Sequence, residues 1–152
     1  LDNIRSRHNI GSAFRTCDAF RASGIVLCGI SSTTPAPEVH KSALGAEFSV
    51  DWIWRQDTVE AVKELRGQGY TVIGVEQTEN SVSTDDFLYG RKTLDPDGKY
   101  AVIFGNEVHG ISQDAVDLCD FTLEIPQYGT KHSLNVSVAI GIVLYVLGRG
   151  LH

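Results

Sequence analysis

Methionine is missing from this 152-residue chain, and cysteine is sparse. A chain that opens at Leu1 without an initiator is expected to be trimmed, with an N-terminal strand or extension removed. Cys17, Cys28 and Cys119 are an odd, scattered set with no CxxC spacing, and the five histidines form no HxxxH pair. This speaks against a disulfide framework and a structural zinc site, so reduced thiols and no metal are expected. No secretory signal is visible, and the longest apolar stretch, residues 134–147, is too short to span a bilayer. The default location is therefore the cytoplasm. Positive charge is also short: 13 basic against 19 acidic residues leave a net charge of −6, a poor overall balance for gripping a polyanion. No GxGxxG follows a strand pattern, no GxxxxGK[ST] phosphate loop exists, and Ser133 is not on a nucleophile elbow.

What charge there is lies unevenly. Arg5, Arg7, Arg15 and Arg21 crowd into the first 21 residues against Asp2 and Asp18, whereas residues 76–97 hold six carboxylates against Arg91 and Lys92. A phosphate-bearing partner would meet the N-terminal region first; the competing reading is a solvated basic helix face.

Helical and strand periods alternate along the chain. Residues 9–22 place Ile10, Ala13, Phe14, Cys17 and Phe20 at helical spacing, with Asn9 as cap and Gly24 as stop. Residues 25–29 read as a buried strand, 31–37 as a loop, and 38–44 as a short helix; 50–54 is ambiguous between strand and connection. Asp57 and Glu60 form a capping-box pattern before a helix closed by Gly67 and Gly69, followed by a strand over 70–75. Residues 79–99 are a polar excursion, 100–104 a buried strand, and Ser112 caps a helix ahead of a strand over 121–125. Helices separating strands predict one α/β domain over residues 1–152, with a mostly parallel sheet covered by helices on both faces.

Ligands bind such sheets where loops leave the C-terminal ends of strands. Three exits are unusual: Glu76, Gln77 and Thr78; GNEVHG from Gly105; and the turn opening IPQYGTKHSLNVSVA from Ile125. The last leads into an apolar helix from Leu134. Ser133 is an ordinary cap there, but Asn135 and Ser137 exceed what one cap requires and would be costly on a buried surface without partners.

Taken together, NIGSAFRTCDAF (Asn9, Gly11, Arg15, Phe20), FGNEVHGI (Gly105, Asn106, Glu107, Gly110, Ile111) and the segment with Ile125, Pro126, Gly129, Ser133, Leu134, Asn135, Val136, Ser137 and Ala139 resemble the SpoU (TrmH-type) family of the SPOUT superfamily. These are RNA ribose 2′-O-methyltransferases using S-adenosylmethionine. The resemblance covers nearly the whole chain. It implies a C-terminal deep trefoil knot, an exception to the rule that chains do not thread loops, and a homodimer packed through the knot helix. It also implies a strand ahead of Asp2, of which almost nothing is present. Gln127 stands where the family commonly has an apolar residue, and no RNA-binding extension is visible.

By the same resemblance the methyl donor would meet Gly105, Ile125 and Leu134, together with Gln77 and Thr78. Arg15 matches the family's catalytic arginine. Because a guanidinium stays protonated, stabilising alkoxide charge and holding a phosphate suit it better than acting as a base. Asn9, Glu107, Ser133 and Asn135 would complete the catalytic set, and Arg5, Arg7, Arg21 and Lys131 would contact structured RNA, tRNA or rRNA. The expected reaction needs no metal. The alternative is a noncatalytic SPOUT-like module that binds RNA or S-adenosylmethionine and serves in dimerisation; retention of Arg15, Asn9, Ser133 and Asn135 together favours the enzyme.

Overall fold

A computed structural model describes all 152 residues. In chain order the elements are α1 (Arg7–Ala19), β1 (Ile25–Cys28), α2 (Pro37–Ala43), a 3₁₀ turn (Ala46–Phe48), β2 (Trp52–Arg55), α3 (Thr58–Gly67), β3 (Thr71–Val75), β4 (Val82–Ser83), α4 (Thr84–Leu88), β5 (Tyr100–Phe104), α5 (Gln113–Asp117), β6 (Phe121–Glu124) and α6 (Val136–Gly148). Every strand pairing is parallel: β1 pairs with β2, and β4, β6, β3 and β5 lie in that order. The ambiguous stretch at 50–54 resolves as strand β2, and the polar excursion hides the two-residue β4 and the short α4.

Alternation along the central strands decides which helices cover which face. On β3, Val72 points to one side with Val62 of α3, Ile103, Ile111 and Ala115 of α5. Ile73 points to the other, with Ala13 of α1, Phe104, Leu123, and Ile140, Val143 and Leu147 of α6. A period of two on the strands therefore places α3 and α5 on one face and α1 and α6 on the opposite face. A further cluster of Ile4, Ile10, Phe14, Leu27, Val39 and Val50 locks α1 against β1 and α2.

Residues 1–3 tie the two sheets together. Cys28 N–H donates to the Leu1 carbonyl at 3.0 Å and Asn3 N–H to the Cys28 carbonyl at 3.2 Å, while Asp2 N–H donates to the Phe104 carbonyl of β5 at 2.9 Å. The buried Asp2 carboxylate accepts from Thr58 Oγ1 at 2.6 Å and from Ser112 N–H at 3.1 Å, clasping the starts of α3 and α5. Beside this bridge, β1 and β5 flank an apolar cavity of about 650 Å³ lined by Val26, Ala101, Val102 and Leu144 among others.

Two helix starts differ from the sequence reading. Ser6, not Asn9, caps α1: its Oγ accepts from Asn9 N–H at 3.2 Å, and Asn9 sits buried in the first turn. Asn135, not Ser133, caps α6: its Oδ1 accepts from Ser137 N–H at 2.8 Å and from Ser137 Oγ at 2.6 Å. Ser112 does precede α5, yet its hydroxyl makes no capping bond; its N–H goes to Asp2 instead.

Candidate active site

The loop after β5 is closed on itself. Asn106 and Gly110 exchange backbone hydrogen bonds at 3.0 and 2.9 Å, and Asn106 Oδ1 accepts from Val108 and His109 N–H. A Cβ at Gly105 would stand 2.2 Å from the Gly110 carbonyl carbon, so only glycine permits this return of the chain. Asn106 Nδ2 donates to the Asn3 carbonyl at 2.7 Å and anchors the loop beside the start of the chain.

That anchoring aims Glu107 at the N-terminus of α1. Its carboxylate accepts from the backbone N–H of Arg5 at 3.0 Å and of Ser6 at 3.1 Å, with Asn9 Nδ2 at 3.5 Å. Partial burial works against ionisation, but these donors outweigh it and hold the carboxyl below its ordinary value of 4.5. Asn9 is only 6% exposed and directs its amide at Glu107. The first and second motifs thus meet as a helix cap.

Arg15 opens on a different face of α1. His8, Ser12 and Arg15, four and three residues apart, form one stripe of the helix. With Thr16, Lys41 and Ser42 of α2, and Ser137 and Val138 of α6, they line a polar cleft of about 440 Å³. Close approach of α1 and α2 makes this cleft: a Cβ at Gly11 would meet Ser42 Oγ at 2.0 Å and the Val39 carbonyl at 2.3 Å. Ser42 Oγ donates to the His8 carbonyl at 2.8 Å across the same junction. Arg7, Arg55, Lys63, Arg66 and Arg91 are each paired with a carboxylate, but Arg15 and Lys41 have no ion pair.

A third region gathers the strand exits. Because β3 lies between β5 and β6, the loops after Val75, Phe104 and Glu124 leave side by side. Glu76 joins two of them, accepting from Ile111 N–H at 3.2 Å, and Thr78 Oγ1 shares a hydrogen bond of 2.6 Å with Thr122 Oγ1. Gln77 is exposed beside them. From Gln127 to Leu134 no backbone N–H or carbonyl is bonded within the chain, so this exit offers a run of free main-chain donors and acceptors.

The structure therefore brings Asn9 together with Glu107, and Arg15 together with Ser137, whose hydroxyl is bonded to Asn135. It leaves Ser133, Leu134 and Lys131 exposed in the segment before α6. The basic N-terminal region is not one patch. Arg7 is paired with Glu38 at 3.2 Å, and Arg21 lies past the far end of α1, about 20 Å from its start, where it borders the apolar cavity. Sequence reasoning passed over His8, Ser12, Thr16, Lys41 and Ser42. The available signal was Ser42 between Val39 and Ala43, a polar residue on the buried side of a short helix.

Comparison with known proteins resolves the family. The profile described as the SpoU rRNA methylase family matches residues 1–145. The chain belongs to this family. A provisionally named TrmH family tRNA/rRNA methyltransferase of Staphylococcus aureus is 34% identical over 152 residues, all of this chain and 58% of that protein. Among solved structures, an AdoMet-bound rRNA methyltransferase from Sinorhizobium meliloti superposes with a TM-score of 0.87 at 28% identity, covering 100% of this chain and 55% of that one. The A. aeolicus TrmH/SpoU tRNA modifying enzyme gives 0.82 at 28% identity, covering 98% and 72%. The chain thus spans a little over half the length of the S. aureus relative. Membership extends to a SpoU domain whose motifs occupy α1, the β5 exit and the start of α6. No helix in it is long and apolar enough to cross a membrane.

Proposed function

We propose that this SpoU domain transfers a methyl group from S-adenosylmethionine to a ribose 2′-hydroxyl of tRNA or rRNA. The observation that carries the reading is the unpaired Arg15 in a polar cleft closed by the N-terminus of α6. The backbone of residues 127–134, with Gly105, Ile125, Gln77 and Thr78 at the neighbouring exits, would hold the donor. When bound, the donor supplies an electrophilic methyl carbon. The remaining work is positional and electrostatic: the 2′-oxygen must be held in line with that carbon, so that the new O–C bond forms as the C–S bond breaks and S-adenosylhomocysteine leaves, with the 2′-proton passing to solvent.

Arg15 is suited to the second task. Its guanidinium faces no carboxylate, so its charge is free to stabilise the developing alkoxide and the adjacent phosphate. Ser137, fixed by Asn135, presents a hydroxyl in the same cleft. Asn9 and Glu107 act one step away, by setting the start of α1 and hence the pitch at which Arg15 projects. Arg5 and Lys131, both exposed, extend the surface toward RNA. The C-terminal segment closes the family's trefoil knot in this reading, and the outer face of α6 pairs with a second copy. Tyr145 is about half exposed on that helix, and Gly141, one turn before it, has nothing near a Cβ position.

Two measurements test the proposal. S-adenosylmethionine at about 100 times its Kd stabilises the native state by roughly 2.7 kcal/mol, which at this chain length raises Tm by roughly 5–10 °C. Labelled donor incubated with total RNA is expected to leave 2′-O-methylated nucleotides. Absence of both would overturn the reading; donor binding without transfer to any RNA would support a noncatalytic module.

A further inference from the structure

We infer that Lys41 is the second arm of a phosphate clamp, gripping together with Arg15 the RNA phosphodiester next to the target ribose. The inference rests on the proposed 2′-O-methyl transfer and adds to it a residue and a ligand atom. Lys41 lies on α2, outside the three motifs, yet it borders the same cleft as Arg15. Neither cation has a carboxylate within ion-pair distance, and Glu38, three residues before Lys41, is paired with Arg7 instead.

The rest of the cleft is built for an anion. Its other walls are His8 and the hydroxyl-bearing Ser12, Thr16, Ser42 and Ser137, with Val138 as the one apolar residue and no carboxylate. The thirteen-residue α6 begins there, and Val138 N–H, in its first turn, has no partner within the chain. Two cations without an ion pair, the unbonded hydroxyls of Ser12 and Thr16, and a helix N-terminus converge on one space, an arrangement that suits a singly charged phosphodiester. The base and sugar of the nucleotide would lie outside the clamp, so this contact fixes register and carries no sequence preference.

Lys41 is held ready for this role by its helix. Val39 and Ala43 bury one side of α2, and Ser42 ties it to α1 through the His8 carbonyl. The neighbouring His40 is engaged with the buried Glu47, which also accepts from Gly45 N–H at 3.0 Å and so fixes the turn that ends α2. Lys41 is exposed, so its substitution leaves the core untouched.

The test compares wild type with Lys41→Ala, Lys41→Gln and Lys41→Arg. RNA affinity is measured against salt on an RNA that the wild type methylates, with donor binding followed by the shift in Tm. Loss of one phosphate contact is expected to reduce the slope of log K against log salt by about 0.7–0.9. KM for RNA should rise roughly tenfold, as for a lost charge-assisted contact, with kcat changing far less. Lys41→Arg should restore slope and KM, and all variants should keep the donor-induced Tm shift. A wild-type salt slope and KM in Lys41→Ala and Lys41→Gln would overturn the clamp while leaving the methyl-transfer reading intact. A wild type that binds no RNA would overturn both.

Discussion

Replacing Glu107 by Gln isolates the contact between the first and second motifs. In the native chain the Glu107 carboxylate caps α1 with bonds of 3.0 and 3.1 Å from Arg5 and Ser6 N–H. Gln keeps one acceptor oxygen and loses the charge, so one bond and the interaction with the helix terminus disappear. A charge-assisted bond is worth about 1.5–3 kcal/mol where shielded, but Glu107 is exposed and solvent screening reduces this to about 1 kcal/mol. For a chain of this length that corresponds to a fall in Tm of roughly 2–4 °C. The sign follows from the lowered carboxyl: its contribution is complete above the unfolded value near 4.5 and is lost as pH falls through the folded value below that. Thermal melts of wild type and Glu107→Gln at pH 7 and near pH 3.5 should show a clear difference at the first and a shrinking one at the second. An equal difference at both pH values, or none at pH 7, would refute the capping account and return Glu107 to the role of a substrate contact.

Other variants probe separate parts of the construction. Gly11→Ala should cost several kcal/mol and lower the yield of folded protein, because its Cβ meets Ser42 and the Val39 carbonyl; a melt like wild type would show that α1 and α2 can separate freely. Asn135→Ala should lower Tm by roughly 2–4 °C through loss of the α6 cap and reduce methyl transfer beyond that loss, since it frees Ser137 from its partner; unchanged transfer would remove Ser137 from the site. Tyr145→Glu, on the half-exposed outer face of α6, should convert a dimer to a monomer in sedimentation and depress activity with it. A monomeric wild type would contradict the dimer.

How far the sequence could lead depended on whether the deciding contact was local. Strand β5 emerges at its observed bounds, Tyr100–Phe104, since five consecutive hydrophobic residues lie between Lys99 and the turn residue Gly105. Asp57 and Glu60 mark α3 through a bond that spans three residues, Glu60 N–H to Asp57 Oδ1 at 3.2 Å. The start of α1 was misjudged because Ser6 and Asn9 are both good caps, and the choice is made by Glu107, about a hundred residues away. Ser133 and Asn135 posed the same problem at α6. Lys41 gave no periodic signal in a seven-residue helix and became visible only when α2 closed on α1. The basic run at the N-terminus is spread out for a related reason: composition groups Arg5, Arg7, Arg15 and Arg21, but the pitch and length of α1 distribute them over different faces and ends.

The central claim is that Arg15 promotes attack by a ribose 2′-oxygen on a donor-derived methyl group. Its most direct test is position-resolved detection of 2′-O-methylation in RNA treated with wild type or with Arg15→Ala at equal donor occupancy. Transfer to a 2′-oxygen by the wild type, with a loss of at least a hundredfold in Arg15→Ala, is expected for removal of one charged transition-state contact. Full activity in Arg15→Ala, or methyl groups found on bases and not on ribose, would contradict the account.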